Sequence, residues 1–252
     1  ILVMPSTGKR TRSWDGYRSH FYKTQEFAIP GYYSVYLTDT KVKAELTASA
    51  HVAFHRYTYD STDSTSVLID LQHGPAWNDK QYHSQVNRCE THWEDAYTLV
   101  GHVQNTVWVK QDYFFIIKFN RPVASHITLN KATDTEKGDR IVATFDGIEQ
   151  GEQLLMKIAM STTSVDGAKK NLYTEVPYWD FAAVKQSANN EWNKYLKRID
   201  IEGTDDQKKN FYTSFYHALI QPNQIADVDG MYRNAADKIV KAENGLFYST
   251  FS

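Results

Sequence analysis

The sequence predicts a mainly β fold followed by helices: an antiparallel β-sandwich, then a long linker helix, then the first helix of a larger helical domain. Two observations carry this prediction. Apolar and polar residues alternate in short segments through about the first 174 residues, which is typical of half-buried strands. After Pro177 the apolar residues recur every three or four positions, which is typical of helices that bury one face. Two helices are too few to bury both apolar faces, so a larger helical domain is expected.

The strands are predicted from this alternation and from the turn residues between them. Residues 33–37 and 42–46 alternate on either side of Asp39 and Thr40, so they predict a β-hairpin. Short strands separated by turn residues, with no helical segment between them, favour a sandwich over a parallel α/β sheet. The other predicted strands are 1–5, 51–59, 67–71, 99–109, 113–119, 124–129, 140–145 and 154–161.

The helices are predicted from their end signals and apolar stripes. The first is expected between Pro177, a residue suited to a helix N-terminus, and Gly203, a residue suited to a C-terminus. The second begins at Thr204, which has a capping-box partner in Gln207, and Pro222 ends it. The predicted domains are therefore a sandwich over 1–176, a linker helix over 177–203 and the start of a helical domain over 204–252.

Composition excludes several classes of function. The chain has 28 Lys and Arg residues against 30 Asp and Glu residues, and a net charge of −2 does not suit a nucleic-acid partner. No apolar run reaches the roughly 20 residues that span a bilayer. A single cysteine, Cys89, excludes an internal disulfide and a Cys-rich zinc site. The sequence motifs of nucleotide-binding loops, serine-nucleophile elbows and His-Glu-x-x-His zinc proteases are missing.

The nine histidines do not predict a metal site. His51 and His55 lie in a predicted strand, where a rise of about 3.3 Å per residue places them about 13 Å apart, too far to share one ion. Residues 72–97 form a polar, aromatic stretch that we interpret as a loop covering the sandwich, with a binding loop as the alternative. This stretch contains His73, His83 and His92.

The acidic turn after the second helix is the best candidate for contact with a substrate. Asp227, Asp229 and Gly230 resemble the core of a calcium loop, but the EF-hand pattern places Ile225 and Ala236 where oxygen ligands are required, so that interpretation fails. Two carboxylates beside a glycine suit sugar hydroxyls, because a carboxylate accepts hydrogen bonds from adjacent hydroxyls. The alternative is an Asp-rich turn whose side chains cap their own backbone.

Several motifs in fixed order resemble glycoside hydrolase family 92. Residues 28–35 (AIPGYYSV), 43–48 (KAELTA), 55–57 (HRY) and 68–71 (LIDL) resemble the N-terminal β-sandwich of that family. The segments near the other end resemble the family's entry into its (α/α)6 catalytic barrel. These segments are 211–223 (FYTSFYHALIQPN) and 227–233 (DVDGMYR).

The resemblance implies a calcium-dependent, exo-acting α-mannosidase that inverts configuration and removes terminal mannose from glycans. It implies a chain truncated at both ends, with the catalytic acid, the catalytic base and most calcium ligands downstream of Ser252, so that this span alone is inactive. The resemblance also implies that this span packs against the N- and C-terminal segments of the same protein that it lacks. Known relatives imply a periplasmic, cell-surface or secreted bacterial protein. The candidate substrate-binding residues within the span are Asp227, Asp229, Tyr232 and Arg233.

Two alternatives stay open at this point. A non-catalytic carbohydrate-binding or protein-interaction module needs no residues beyond the span, and an aromatic content of 14% suits sugar stacking as well as a sandwich core. A phosphorylase or another enzyme with the same layout is also compatible, because a fold does not imply a function.

Overall fold

A computed structural model describes residues 1–8, 18–61, 63–72, 85–106, 110–130 and 138–249. Two antiparallel sheets come first, and three helices and four short strands follow. The strands are β1 (Leu2–Thr7), β2 (Glu26–Ile29), β3 (Tyr32–Leu37), β4 (Val42–Ala48), β5 (Val52–Tyr59), β6 (Thr65–Asp70), β7 (Gln85–Asp95), β8 (Thr98–Thr106), β9 (Lys110–Phe119), β10 (Ser125–Asn130), β11 (Arg140–Phe145), β12 (Gln153–Ser161), β13 (Asn223–Gln224), β14 (Met231–Arg233), β15 (Ile239–Lys241) and β16 (Tyr248–Ser249). The helices are α1 (Val165–Glu175), α2 (Phe181–Leu196) and α3 (Asp205–Ala218).

The predicted β-sandwich is confirmed. Its sheets have the strand orders β1-β6-β11-β10 and β2-β3-β4-β5-β12-β9-β8-β7. The predicted hairpin is β3–β4, with Leu37 opposite Val42 and Tyr33 opposite Leu46. In the larger sheet the last strand, β12, lies between β5 and β9, because Leu154 pairs with Tyr57 and Ile158 with Ile117. The final strand of the sandwich, β12, therefore joins strands β2–β5 to strands β7–β9 in one sheet.

The larger sheet is covered on both faces. One face packs on the smaller sheet through a buried cluster that includes Tyr57, Phe115 and Ile69. The other face packs on α1 and α2 through a second cluster, in which Phe54 contacts Phe181 with ring centroids 5.4 Å apart. Burial of apolar area at about 25 cal/mol per Å² stabilises both interfaces. The chain thus forms three layers: small sheet, large sheet and helices.

A glycine brings the sandwich and α2 close together. Gly31, in the β2–β3 turn, has a φ of +84°, and a Cβ atom there would lie 3.0 Å from the backbone of Ala188 in α2. A side chain would strain the turn and displace the helix.

The helical part begins earlier than the sequence predicts. The helix α1 starts at Val165, where Ser164 caps it by accepting a hydrogen bond from the Gly167 amide, so the change from strand to helix occurs at residue 165 and not near residue 177. The helix α2 begins at Phe181, because Asp180 and not Pro177 provides its cap, and it ends at Leu196, before Gly203. The capping box at Thr204 of α3 is confirmed.

Part of the predicted loop over residues 72–97 is a strand. The strand β7 runs from Gln85 to Asp95 and carries His92 at the edge of the large sheet, next to β8. His73 and His83 lie outside the described residues. Among the helices of the described ranges, none is long and apolar enough to cross a membrane.

Candidate functional site

The segment after α3 folds back onto the end of the sandwich. Residues 221–237 contribute to the walls of three neighbouring clefts with volumes of about 710, 450 and 480 Å³. Each cleft also has walls from other elements: α2 in the first, the β4–β5 turn in the second and β9 in the third. All four substrate-binding candidates predicted from the sequence lie in this segment.

Asp227 is buried, with 1% of its surface exposed. Its Oδ2 atom accepts hydrogen bonds from Ser161 Oγ and Thr163 Oγ1, both at 2.7 Å. Its Oδ1 atom accepts one from Asn171 Nδ2 at 2.8 Å. The carboxylate is therefore held by the protein itself, while a role in substrate binding stays a prediction.

Asp229 lies at the surface of the same turn. Its Oδ2 atom is 2.8 Å from Lys170 Nζ in α1, and its Oδ1 atom accepts a hydrogen bond from the Met231 amide at 3.1 Å. The hydrogen bond from Lys170 lowers the pKa of Asp229, so this carboxylate stays ionised near neutral pH. About a third of its side chain remains exposed, which leaves room for a hydroxyl donor.

Tyr232 and Arg233 follow in β14. The Tyr232 ring stacks on Phe247, with centroids 4.0 Å apart and an interplanar angle of 11°. Arg233 donates from Nε to the Thr162 carbonyl at 2.9 Å and forms an ion pair with Asp237. Arg233 also lines the 480 Å³ cleft. Among the described residues that line the three clefts, Arg233 is the one substrate-binding candidate predicted from the sequence.

A buried His–Glu pair beside the turn was not predicted from the sequence. His51 Nδ1 is 2.5 Å from Glu175 Oε1, and Ser49 Oγ donates to Oε2 of the same carboxylate. Burial lowers the pKa of His51, but its surroundings raise the pKa by more. The hydrogen bond and charge of Glu175 contribute most to this increase, followed by the charge of Asp227 and the Ala226 carbonyl, so the pKa of His51 lies above its ordinary value. His51 thus faces the acidic turn from the sandwich side.

His55 is a structural histidine, as the spacing predicts. Its Nδ1 atom is 2.7 Å from the Tyr57 hydroxyl, and burial lowers its pKa to about 4. The imidazole is therefore neutral near pH 7. The side chains that hold Asp227 were also missed, because Ser161, Thr163 and Asn171 lie in segments without a recognised motif.

The arrangement is suited to binding and positioning. A glycosidase acid must keep a proton near neutral pH, so its pKa is raised. Here the pKa values of Asp229, Glu175 and Asp237 are all lowered by their hydrogen-bond partners, although burial opposes the shift at Glu175. Within the described ranges, no three His, Cys, Asp or Glu side chains come together to hold a metal ion. The two carboxylates of the turn are instead engaged by protein donors, Asp227 by three side chains and Asp229 by Lys170, so they do not fit a calcium site.

The chain matches two models of the same family in succession. Residues 1–161 match the glycosyl hydrolase family 92 N-terminal domain, and residues 167–252 match the glycosyl hydrolase family 92 catalytic domain. A search of curated proteins found no match.

Solved structures match over almost the whole chain. A family GH92 alpha-mannosidase from Bacteroides thetaiotaomicron superposes with a TM-score of 0.85 and 26% identity, covering 98% of this chain and 35% of that one. The same enzyme in complex with mannoimidazole gives the same score. A family GH92 inverting mannosidase from this organism has a TM-score of 0.82 and 22% identity over 98% of this chain and 33% of its own, and it supports the fold alone.

The chain thus spans about a third of the length of these structures. The two model matches follow each other in the order that the sequence motifs predict, sandwich first and catalytic segment second. The predicted resemblance is confirmed, and the chain belongs to glycosyl hydrolase family 92.

Proposed function

We propose that this chain contributes the N-terminal sandwich and the first part of the catalytic domain to an exo-acting, inverting α-mannosidase that hydrolyses terminal α-linked mannose of glycans. The observation that carries the proposal is the match of residues 167–252 to the family's catalytic-domain model, directly after the sandwich match. The mannosidase solved with mannoimidazole supports the substrate class.

The proposed division of labour follows from the chemistry of the residues. An inverting glycosidase places an acid and a base about 6.5–9.5 Å apart, with a water between the base and the sugar. The carboxylates near the acidic turn have lowered pKa values, which do not suit the catalytic acid. Because the chain spans about a third of the length of the family structures, we propose that the acid, the base and the calcium ligands lie in parts of the enzyme beyond Ser252.

Within this chain, the exposed oxygen edge of Asp229 and the guanidinium of Arg233 are the groups proposed to meet sugar hydroxyls. A carboxylate accepts hydrogen bonds from hydroxyls, and a guanidinium donates them. We also propose that the domains divide at 176/177 and 203/204. The first boundary assigns α1 to the sandwich, on which it packs through Ala168 and Leu172, although the catalytic-domain match begins at residue 167. The second boundary is supported by the capping box that begins α3 at Thr204.

The test compares a polypeptide of these 252 residues with the product of the entire natural reading frame that encodes them. Both are incubated with 4-nitrophenyl α-mannoside, with and without a calcium chelator, and the anomer released is followed by NMR. We expect the full product to release β-mannose in a chelator-sensitive reaction and the 252-residue polypeptide to release none. Hydrolysis by the shorter polypeptide at the full rate would contradict the proposed division of labour.

The alternative of a non-catalytic binding module predicts a different result. Mannoside binding by the full product, without turnover of any α-mannoside, would replace the hydrolase proposal. We further propose a bacterial periplasmic, cell-surface or secreted location, which cell fractionation followed by immunodetection would test.

A further inference from the structure

The carboxylate of Asp227 joins three parts of the fold that are distant in sequence. Ser161 ends β12, Thr163 lies between β12 and α1, and Asn171 lies in the middle of α1, 56 residues before Asp227. All three donate to the same carboxylate, and none of them carries a charge. Among the described residues, Asp227 forms no ion pair, although it is almost fully buried.

Burying a carboxylate is costly unless hydrogen bonds replace the water that it loses. An apolar side chain of similar volume would avoid the cost of the buried charge but would leave the three donors unpaired. The carboxylate, by contrast, specifies one arrangement of the segments that it joins. We infer that Asp227 is a positioning residue, whose contacts with Ser161, Thr163 and Asn171 fix the turn of residues 225–233 on the sandwich. The positioning of the turn does not depend on the proposed function, whereas the role of the turn in binding sugar does.

Asn171 is fully engaged in the same contact. Its Nδ2 atom donates to Asp227 Oδ1 and to the Met160 carbonyl, while its Oδ1 atom accepts the Val228 amide at 2.9 Å. One side chain in α1 therefore holds both the carboxylate and the backbone of the turn.

A glycine is required for the helix to approach. A Cβ atom at Gly167 would lie 2.6 Å from Asp227 Oδ2, Ser161 Oγ and Thr163 Oγ1, a distance that real Cβ atoms do not show. The first turn of α1 thus lies directly against the hydrogen-bonded group.

The far end of the turn is tied to the same few residues. Arg233 donates to the carbonyl of Thr162, and its amide donates to the Thr162 hydroxyl at 3.3 Å. Between the two ties, the Asp227 amide donates to the Met231 carbonyl at 2.8 Å. Residues 161–163 therefore hold the turn at both ends, with Asp229 and Tyr232 between them.

The test measures amide hydrogen exchange in the natural full-length protein carrying Asp227→Asn. This substitution preserves shape but places an amide group among the donors. We expect the amides of Val228, Gly230 and Met231 to exchange at least about tenfold faster, because the substitution leaves buried polar groups without a partner and so favours local opening of the turn. The amides of β8 and β9 should change less than about twofold. Asp146→Asn, at an exposed turn, is the matched control and should change neither.

A swap variant separates this contact from a general loss of stability. In Asp227→Asn with Asn171→Asp, the new carboxylate accepts from the new amide and from the Val228 amide, so exchange in the turn should return part of the way. Thr163→Val removes one donor and should accelerate the turn by about threefold, which keeps the test usable if Asp227→Asn fails to fold.

Two results would overturn the inference: exchange in the turn that matches the Asp146→Asn control, or equal acceleration in the turn and in β9. A kinetic readout distinguishes the inference from the proposed function. If the full protein hydrolyses 4-nitrophenyl α-mannoside, Asp227→Asn should raise KM at least about threefold with a smaller change in kcat. Hydrolysis with unchanged KM and unchanged exchange refutes the inference alone, whereas faster exchange without any hydrolysis supports it and refutes the hydrolase.

Discussion

Lys157, in the middle strand of the large sheet, allows a quantitative prediction. Its side chain is buried under the helical layer, where Nζ donates to the Val176 carbonyl at 2.8 Å and lies 4.1 Å from the centre of the Trp179 ring. Burial, assisted by the charge of Lys118, lowers the pKa of Lys157 from 10.5 to about 8. The perturbation is Lys157→Met, which retains an extended chain and removes the titrating amine.

The sign follows from proton binding. Below pH 8 both the folded and the unfolded protein hold this proton, and the folded state carries the full cost of a buried ammonium, about 3 kcal/mol at 1.36 kcal/mol per pH unit. Between pH 8 and 10.5 the unfolded state binds more protons, so stability rises with pH. Over the range from pH 7 to pH 9.5, this linkage amounts to about 2 kcal/mol.

The assay is urea denaturation of wild type and Lys157→Met across that range. The difference in the free energy of unfolding should shift by about 2 kcal/mol in favour of wild type as the pH rises. Lys208→Met, on the exposed side of α3, is the control and should follow wild type. A Lys157→Met difference that stays constant within about 0.5 kcal/mol from pH 7 to pH 9.5 would refute the reasoning.

Three further predictions follow from buried contacts. Glu45 accepts two hydrogen bonds from Arg56 at 2.8 Å, which outweigh burial and lower the pKa of Glu45 to about 2. The stabilisation from this carboxylate is therefore complete above pH 4.5 and is lost as the pH falls towards 2. In urea denaturation, Glu45→Gln should reduce the loss of stability between pH 4.5 and 2, and an unchanged loss would contradict this prediction. The raised pKa of His51 means that its pairing with Glu175 stabilises the fold below pH 6.5 and is lost as the pH rises through the folded value. His51→Gln should therefore reduce the slope of stability between pH 6 and 8, and equal slopes would contradict this. Gly167→Ala should destabilise the protein by about 1–3 kcal/mol, because its Cβ would lie 2.6 Å from three oxygen atoms; an unchanged Tm would show that the helix moves freely.

The sandwich and the last two helices were predictable because their signals are local. Alternation along β4 and β5 determines which residues are buried, and the Thr204–Gln207 capping box places the start of α3. The strand β7 was not predicted because it is an edge strand with few apolar residues, and a register shift between Val86 and Arg88 interrupts their alternation with polar ones. Val86, Cys89 and Trp93 nevertheless pack against the sandwich core. Its partner β8 supplies the hydrogen bonds that a loop would lack.

The helix α1 was missed for a tertiary reason. Gly167 weakens a helical pattern, since glycine disfavours helix interiors by about 1 kcal/mol relative to alanine. The structure explains the residue, because the Asp227 carboxylate occupies the space that a side chain would need. The partners of Asp227 lie 56 to 66 residues earlier in the chain, so no local pattern distinguishes a buried carboxylate from one that faces a substrate.

The strand order of the large sheet also bears on how the chain is made. Strands β2–β5 and β7–β9 are complete by residue 119, but they belong to one sheet only through β12, which ends at Ser161. During synthesis from the N-terminus, β5 and β9 remain unpaired edge strands until β12 has been made. Unpaired edge strands form hydrogen bonds readily with other chains. We therefore expect nascent chains that end before Ser161 to depend on chaperones and to resist proteases poorly. Protease resistance should appear only after β12 has left the ribosome, when the first catalytic-domain helices are already being synthesised.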